Sequence, residues 1–272
     1  MHHNEIEIYM LSHKNFESPP VHYVKRLQLG AHYKPNWSSY LRDDQGINIS
    51  ENHPWYADLT GLYWIWKNTD SSFVGICHYN RFFSPINFPE KYKFGIVSVS
   101  ENIAFNLLKL EPTGRVFLGD LTVSDIIMAP GIDWGHSGAV HYASHSRIND
   151  WMMMIQIINR LYPGEGNSLT NYFSIARPLH WTSIFITRRE ILEGYCSWIF
   201  PVFEALEHQI PRIERGLRIF SHMNELLINY YVSSRELNVT SRPTMYIAER
   251  KIDISPPTTP ASSHETLLKY SE

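Results

Sequence analysis

Residues 48–83 read NISENHPWYADLTGLYWIWKNTDSSFVGICHYNRFF. The run from Leu59 to Lys67 reads as a helix and carries Tyr63, Trp64 and Trp66. After a polar turn, Phe73 to Cys77 form a short apolar run that stops abruptly at His78, Tyr79, Asn80 and Arg81. A short apolar run bounded by turn signals reads as a buried strand. In an open α/β sheet, ligands bind just beyond the carboxyl ends of strands. Four hydrogen-bonding side chains in a row at such an end point to a polar small-molecule site.

Upstream, Glu5 to Leu11 alternates and then turns apolar, as a first strand would, and ends at Ser12, His13 and Lys14. Residues 15–58 are rich in Pro, Asn, Asp and Gly and read as loop, with one short strand near Leu27–Leu29. Downstream, an amphipathic run spans Glu101–Leu110, and Ser124–Ala129 reads as a strand stopped by Pro130-Gly131. A helix is expected over Asn149–Tyr162, with Trp151, Ile155, Ile158 and Tyr162 on one face. His180–Thr187 reads as a strand. Thr187 and Glu190 have capping-box spacing for a helix Arg188–Ile199, which Pro201 is expected to kink or interrupt. A last helix is expected over Gly216–Tyr231. Strands alternating with helices predict a doubly wound, mostly parallel α/β sheet in one domain, residues 1–249. Residues 250–272 are polar and Pro/Ser/Thr-rich, and a disordered tail is expected there.

Composition narrows the function classes. The 272 residues carry a net charge of -3, which argues against a broad nucleic-acid footprint. Cys77 and Cys196 lie in apolar surroundings and read as buried thiols, which suits a reducing cytoplasm. The N-terminus has acidic residues inside its apolar run, unlike a signal peptide, and no stretch reaches the ~20 apolar residues of a membrane span. There is no GxGxxG, no P-loop, no HExxH, no paired CxxC and no Asp-x-Asp. Their absence disfavours standard dinucleotide, P-loop and common zinc enzymes.

The chemistry-bearing residues group in five places. In the run at 78–81, Arg81 suits a phosphate or carboxylate, and His78 suits a diphosphate or a base role. His13 and Lys14 follow the first strand, where doubly wound folds place a nucleotide; a plain surface pair is the alternative. Asp43, Asp44 and Asn48 sit in a Gly-containing turn and could hold a ribose or simply make the turn. His136, His141 and His145 form a loose cluster, with His141 and His145 on one helical face, in a polar loop and helix start near an acceptor pocket. Glu225 lies on a helix with apolar neighbours, either paired with Arg218 or Arg215 or used as a general base.

Four blocks together resemble a family of bacterial capsule and exopolysaccharide glycosyltransferases long catalogued as a domain of unknown function. They are Ser12-His13-Lys14; DQGINIS at 44–50 with Asn52, Pro54, Tyr56, Asp58-Leu59-Thr60 and YWIWKN at 63–68; GICHYNRFF at 75–83, which is similar to the family's G-[LI]-x-HYRRYF; and YCSWIFP at 195–201 with RIFSHMNELLIN at 218–229. Asn80 stands in place of the first Arg of that motif, Asp58 in place of a Glu, and Leu226 in place of an Arg.

The resemblance implies a GT-A-like fold over roughly residues 5–247. It also implies a UDP-sugar donor, galactofuranosyl among the candidates, and transfer to a growing capsular, exopolysaccharide, O-antigen or lipid-linked glycan. By position, it puts His13 and Lys14 in the nucleotide site and His78, Tyr79, Asn80 and Arg81 where other GT-A enzymes place the Asp-x-Asp motif; the expected donor site adds Asp44, Asn48 and Asp58, and acceptor contacts are expected at His136, His180 and Trp181. With inversion, Glu225 or Asp125 is expected to be the base, beside His78; a retaining mechanism stays open. Mn2+ or Mg2+ also stays open despite the missing Asp-x-Asp. A cytoplasmic protein is expected, with peripheral association at the inner membrane or with other polysaccharide-assembly proteins in view. Two other readings compete: a non-catalytic nucleotide- or glycan-binding partner of an active transferase, and a His-dependent metallohydrolase suggested by the 14 His.

Overall fold

The computed structural model describes residues 6–88, 95–175, 177–181 and 183–248. The tail expected at 250–272 lies outside them. The first strand β1 (Ile6–Ser12) is followed by β2 (Val24–Gln28), β3 (Leu41–Arg42), a short helix α1 (His53–Tyr56) and α2 (Leu59–Asn68). Then come β4 (Phe73–His78), β5 (Arg81–Phe83), β6 (Ile96–Val99), α3 (Glu101–Lys109), α4 (Arg115–Asp120), β7 (Ile126–Met128) and β8 (Gly131–Ile132). Next are α5 (Gly138–His145), α6 (Ile148–Leu161), α7 (Glu165–Ser174), β9 (Leu179–His180) and β10 (Phe185–Arg188). The chain closes with α8 (Arg189–Gln209), α9 (Ile219–Ser234), β11 (Val239–Ser241) and β12 (Thr244–Ile247).

The main sheet runs β11-β7-β10-β4-β1-β2-β3. Every neighbouring pair is parallel except those made by β10, which is antiparallel to both β4 and β7. This is the α/β sheet flanked by helices that the alternating pattern predicts. Buried parallel strands need apolar residues on both faces. In β1, Ile6, Ile8 and Met10 enter the core under α3 and α4, while Tyr9 and Leu11 enter the larger core under α2, α6, α8 and α9. Gly61 brings α2 down onto the carboxyl ends of β1 and β2, since a Cβ there would sit 2.7 Å from Leu29 and 2.8 Å from Leu11. Cys77 and Cys196 are buried thiols. No described helix is long and apolar enough to cross a membrane.

The fold departs from the sequence reading in three places. The expected strand His180–Thr187 is two strands, β9 and β10, because the chain turns at Ser183 with φ +49°. Thr187 does not cap the following helix; its hydroxyl donates to the Asp125 carbonyl at 2.8 Å. Pro201 leaves α8 unbroken over 21 residues. Its exposed position lets water take the carbonyl that the proline nitrogen cannot serve. The hairpin β4–β5, with strand β12 seated between β5 and β6, also went unread, because β5, β6 and β12 are only three or four residues long.

Candidate functional site

Parallel register brings the carboxyl ends of β1, β2, β3, β4 and β7 to one edge. Leu11 pairs with His78, Ser12 with Gln28, and Gln28 with Arg42. His13, Lys14 and the run at 78–81 therefore share that edge. The run is not an extended rim: Tyr79 and Asn80 turn a tight hairpin, and His78 and Arg81 pair across it. Tyr79 stacks on Phe16 at 4.5 Å between centroids and stands edge-on to His13 at 5.1 Å.

Two carboxylates meet above this edge. Asp58 precedes α2 and is buried. It accepts a hydrogen bond of 2.5 Å from the Ser221 hydroxyl, and His78 Nε2 stands 4.0 Å from its other oxygen. Glu225 lies one turn beyond Ser221 on the same face of α9. Burial pushes the Glu225 carboxyl up to about 7, and the Asp58 charge adds to this; Arg218, Arg81 and His145 pull the other way. Neither Arg218 nor Arg215 forms an ion pair with it. Arg215 is committed to Glu207 at 2.7 Å. A carboxyl poised near neutrality is matched to general-base work.

Beside the carboxylates is a cluster of basic groups. Burial lowers His13 to about 4, and Lys34, Lys14, Arg218 and His78 add to the shift. Lys34 donates to the carbonyls of His13 at 2.9 Å and Leu29 at 3.2 Å. Burial brings its ammonium down to about 8, opposed by Asp43 and reinforced by Lys14. His53 is held near 3, first by burial and then by Lys34 and His13. Arg218 opens α9 with φ +58°, a left-handed conformation that costs a non-glycine residue, and its N–H donates to the Pro54 carbonyl at 2.9 Å. Its charge reaches His13, His53, His222 and Glu225.

Asp43 is the strut beneath this cluster. Fully buried, it accepts from the backbone of Gly30 and Ala31 at 2.9 Å each, and from Ser50 and Thr60 at 2.6 Å each. Burial raises its carboxyl and those four bonds offset the shift.

Several expected residues are used elsewhere. Asp44 takes two hydrogen bonds from Arg42, at 2.6 and 3.0 Å. Asn48 donates to the carbonyls of Asp44 and Gly46 within the turn. His180 ties β9 to α9 through Asn229, and its Nδ1 donates to the Ala129 carbonyl at 2.6 Å. The carbonyl of Asn80 accepts from the Ile247 N–H at 2.9 Å, which ties the hairpin turn to the end of β12. Asp125 lies at the opposite end of the sheet: it pairs with Arg188 at 2.9 Å, and Arg188 is in register with Phe73 at the start of β4. That end is about 16 Å from His78 along the strand, so Asp125 is not brought to the other candidates.

His136, His141 and His145 do come together, with Trp134 and Trp181. Among the described residues no group of three or more His, Cys, Asp or Glu is placed to hold a metal ion. The His-rich metallohydrolase reading thus finds no built centre there. A broad cavity of about 980 Å3 lies beside Glu7, Arg26 and Trp64 and contains none of the site residues.

Sequence reasoning missed Lys34, His53 and His222, and took Arg218 only as a salt-bridge partner. Lys34 and His53 fall in the stretch read as loop, where no periodicity marks them. The left-handed turn at Arg218 has no sequence signal, because the residue is not glycine.

A family described as "Domain of unknown function (DUF4422)" matches residues 7–236. No curated protein matches the chain in sequence. Among solved structures, an apo structure of the bifunctional glycosyltransferase WbbM superposes with a TM-score of 0.80 at 24% identity. The superposition covers 93% of this chain and 47% of that one, so this chain spans about half the length of its structural relative.

Proposed function

The chain belongs to the DUF4422 family, and from that premise we propose that it is a glycosyltransferase that moves a hexosyl residue, galactofuranosyl among the candidates, from a UDP-sugar to a glycan acceptor with inversion. One observation carries this reading: Glu225, a carboxyl held near neutrality, feels the charges of Arg218 and Arg81, which belong with the basic groups at the carboxyl edge of the α/β sheet. Glycosyl transfer makes two demands on a site. The acceptor hydroxyl must lose its proton, and the departing diphosphate must have its charge balanced.

In this reading Glu225 takes the proton from the acceptor hydroxyl. The acceptor oxygen bonds to the anomeric carbon from one face, and the bond from that carbon to the diphosphate oxygen breaks on the other. Lys14, Lys34, Arg218 and Arg81 neutralise the departing UDP. His13, neutral in the free protein, gains a proton when the diphosphate arrives. Asp58, fixed by Ser221, holds the His78 imidazole in place. A capsular, exopolysaccharide or O-antigen chain is the acceptor class this reading favours.

The test is a thermal-shift screen of UDP, GDP, CMP and dTDP sugars, each with Mn2+ and with EDTA, followed by a transfer assay with the stabilising donor. Ligand at about 100 times its dissociation constant adds about 2.7 kcal/mol, a readable shift. The expected result is selective stabilisation by one UDP-sugar, with transfer lost in His78→Ala and Arg81→Ala variants that stay folded. Stabilisation without turnover on any acceptor would favour a nucleotide-binding partner of another transferase. No stabilisation by any nucleotide sugar would defeat the reading.

A further inference from the structure

Five aromatic side chains join into one surface beside Glu225. They come from the loop after β8, from α5 and from the residue after β9. His141 is at the centre. Its ring lies 4.2 Å from Trp181, 4.8 Å from His145, 5.4 Å from His136 and 5.6 Å from Trp134, centroid to centroid. Trp134 closes the group against Trp181 at 5.8 Å. Trp134 is 40% exposed although it is among the largest apolar side chains, and His145 is exposed beside it. The Trp181 indole N–H is buried and makes no hydrogen bond among the described residues. The cluster reaches the reaction centre through His145, whose charge is felt by both Glu225 and His222. Ser146, the next residue, stands 3.4 Å from His222 Nδ1.

We propose that this surface is the acceptor subsite, and that it binds the terminal sugar ring of a neutral glycan by stacking the ring's apolar face on Trp134 and Trp181 while the imidazoles bond its hydroxyls. The inference rests on the transferase reading for the word acceptor, but the binding itself does not.

Three features favour a neutral sugar over other occupants. The exposed Trp134 indole, with the half-buried Trp181 ring edge-on to it, offers an apolar platform, and specific polar groups around such a platform fix orientation. Neutral imidazoles both donate and accept hydrogen bonds, as a ring of hydroxyls requires. Burial and the two flanking imidazoles hold His141 near 4, so the imidazole at the centre of the platform is neutral at neutral pH and offers a sugar hydroxyl both a donor and an acceptor. A sugar seated on the platform lies next to His145, whose charge reaches Glu225 and His222, and so brings a hydroxyl toward the carboxylate.

The experiment follows the indole N–H resonances of the full chain by NMR during titration with methyl glycosides of galactopyranose, galactofuranose, glucose and rhamnose, with UDP present and absent. The expected result is a saturable shift of the Trp134 and Trp181 signals by at least one glycoside. Trp134→Ala should weaken that binding about tenfold and raise the acceptor KM to match, while the thermal shift by UDP stays as in the unmutated protein. Trp134→Phe, which keeps an aromatic face, should recover most of the loss. If no glycoside moves either signal, or if Trp134→Ala binds glycosides normally, the subsite is overturned and the donor reading stands. If glycosides bind but no nucleotide does, the subsite stands and the transferase reading falls.

Discussion

Two regions near Glu225, one cationic and one aromatic, each hold a histidine pushed to about 4, yet for different reasons. His13 is buried among Lys34, Lys14 and Arg218, so part of its shift is repulsion by fixed positive charge. His141 is half-buried among imidazoles and indoles, and its shift beyond burial comes from His145 and His136, with no lysine or arginine among its causes. The same apparent acidity therefore describes two kinds of site. A field of cations stores unfavourable energy that an anion relieves on binding, whereas a neutral aromatic surface has no such energy to release. An arriving diphosphate should raise His13 strongly, and an arriving sugar should leave His141 low. The Glu225 carboxyl has Arg218 and Arg81 pulling it down, with His145 from the aromatic cluster pulling the same way.

The sharpest way to break this picture is to neutralise that carboxyl. Glu225→Gln should lower kcat about a thousandfold, within the 100- to 10,000-fold range of general acid–base catalysis, with little change in UDP affinity. The same variant has a signature in stability. A carboxyl raised from 4.5 to about 7 favours the fold fully below pH 4.5, and that contribution is lost as pH rises through 7. The shift corresponds to at most about 3 kcal/mol. Glu225→Gln should therefore unfold at a higher temperature than the unmutated protein at pH 8 and at a similar one at pH 4.5. Equal stabilities at pH 8 would show that Glu225 is not held near neutrality.

Next in size is the cationic region. Arg81→Ala should cost about a hundredfold in kcat, the scale for removing one charge-stabilising group from a transition state. The pH dependence of donor binding then separates the two regions. A UDP-sugar has no phosphate that titrates between pH 5 and 8, so a change in its affinity reports the protein. Because bound diphosphate favours protonated His13, affinity should rise as pH falls from 7 toward 5, by up to about tenfold per unit for one proton taken up. His13→Gln should flatten that slope, as measured by calorimetry at three pH values. Affinity for a methyl glycoside should show no comparable rise.

How much of this was legible in the sequence follows from the range of the signals. The apolar run Phe73–Cys77 and the polar run after it placed His78 and Arg81 at the functional edge, because a strand end is a local pattern. His13 and Lys14 were readable for the same reason. The place of Asp125 was also readable, because the start of the strand Ser124–Ala129 lies at the opposite end of a parallel sheet; its partner Arg188 was not, since that depends on the antiparallel insertion of β10. Lys34 and His53 were hidden because irregular segments have no period. Asp43 shows how such segments are fixed, with four short hydrogen bonds to residues 7 to 17 positions away holding the loops after β2 and β3 in place. The aromatic platform was half visible: the spacing of His141 and His145 marked one helical face, but Trp134 and Trp181 join it only through the pairing of β8 with β9.

The smallest predicted effect tests why Arg218 keeps an awkward backbone. With φ +58° at a residue that has a Cβ, Arg218 carries about 1 kcal/mol of strain that glycine would not. Nothing in local helix capping requires an arginine there, since no side-chain hydrogen bond caps α9. What the position supplies is a guanidinium whose field reaches His13, His53, His222 and Glu225 together. Arg218→Gly should therefore be as stable as the unmutated protein, or more stable by about 1 kcal/mol, while UDP binding weakens at least tenfold. Arg218→Ala should lose the same affinity without gaining stability. The difference between the two variants, read by denaturant unfolding beside a UDP titration, isolates strain from charge. If Arg218→Gly were markedly destabilised, the arginine would be holding α9 in place, and the cationic region would owe its charge to Lys14, Lys34 and Arg81 alone.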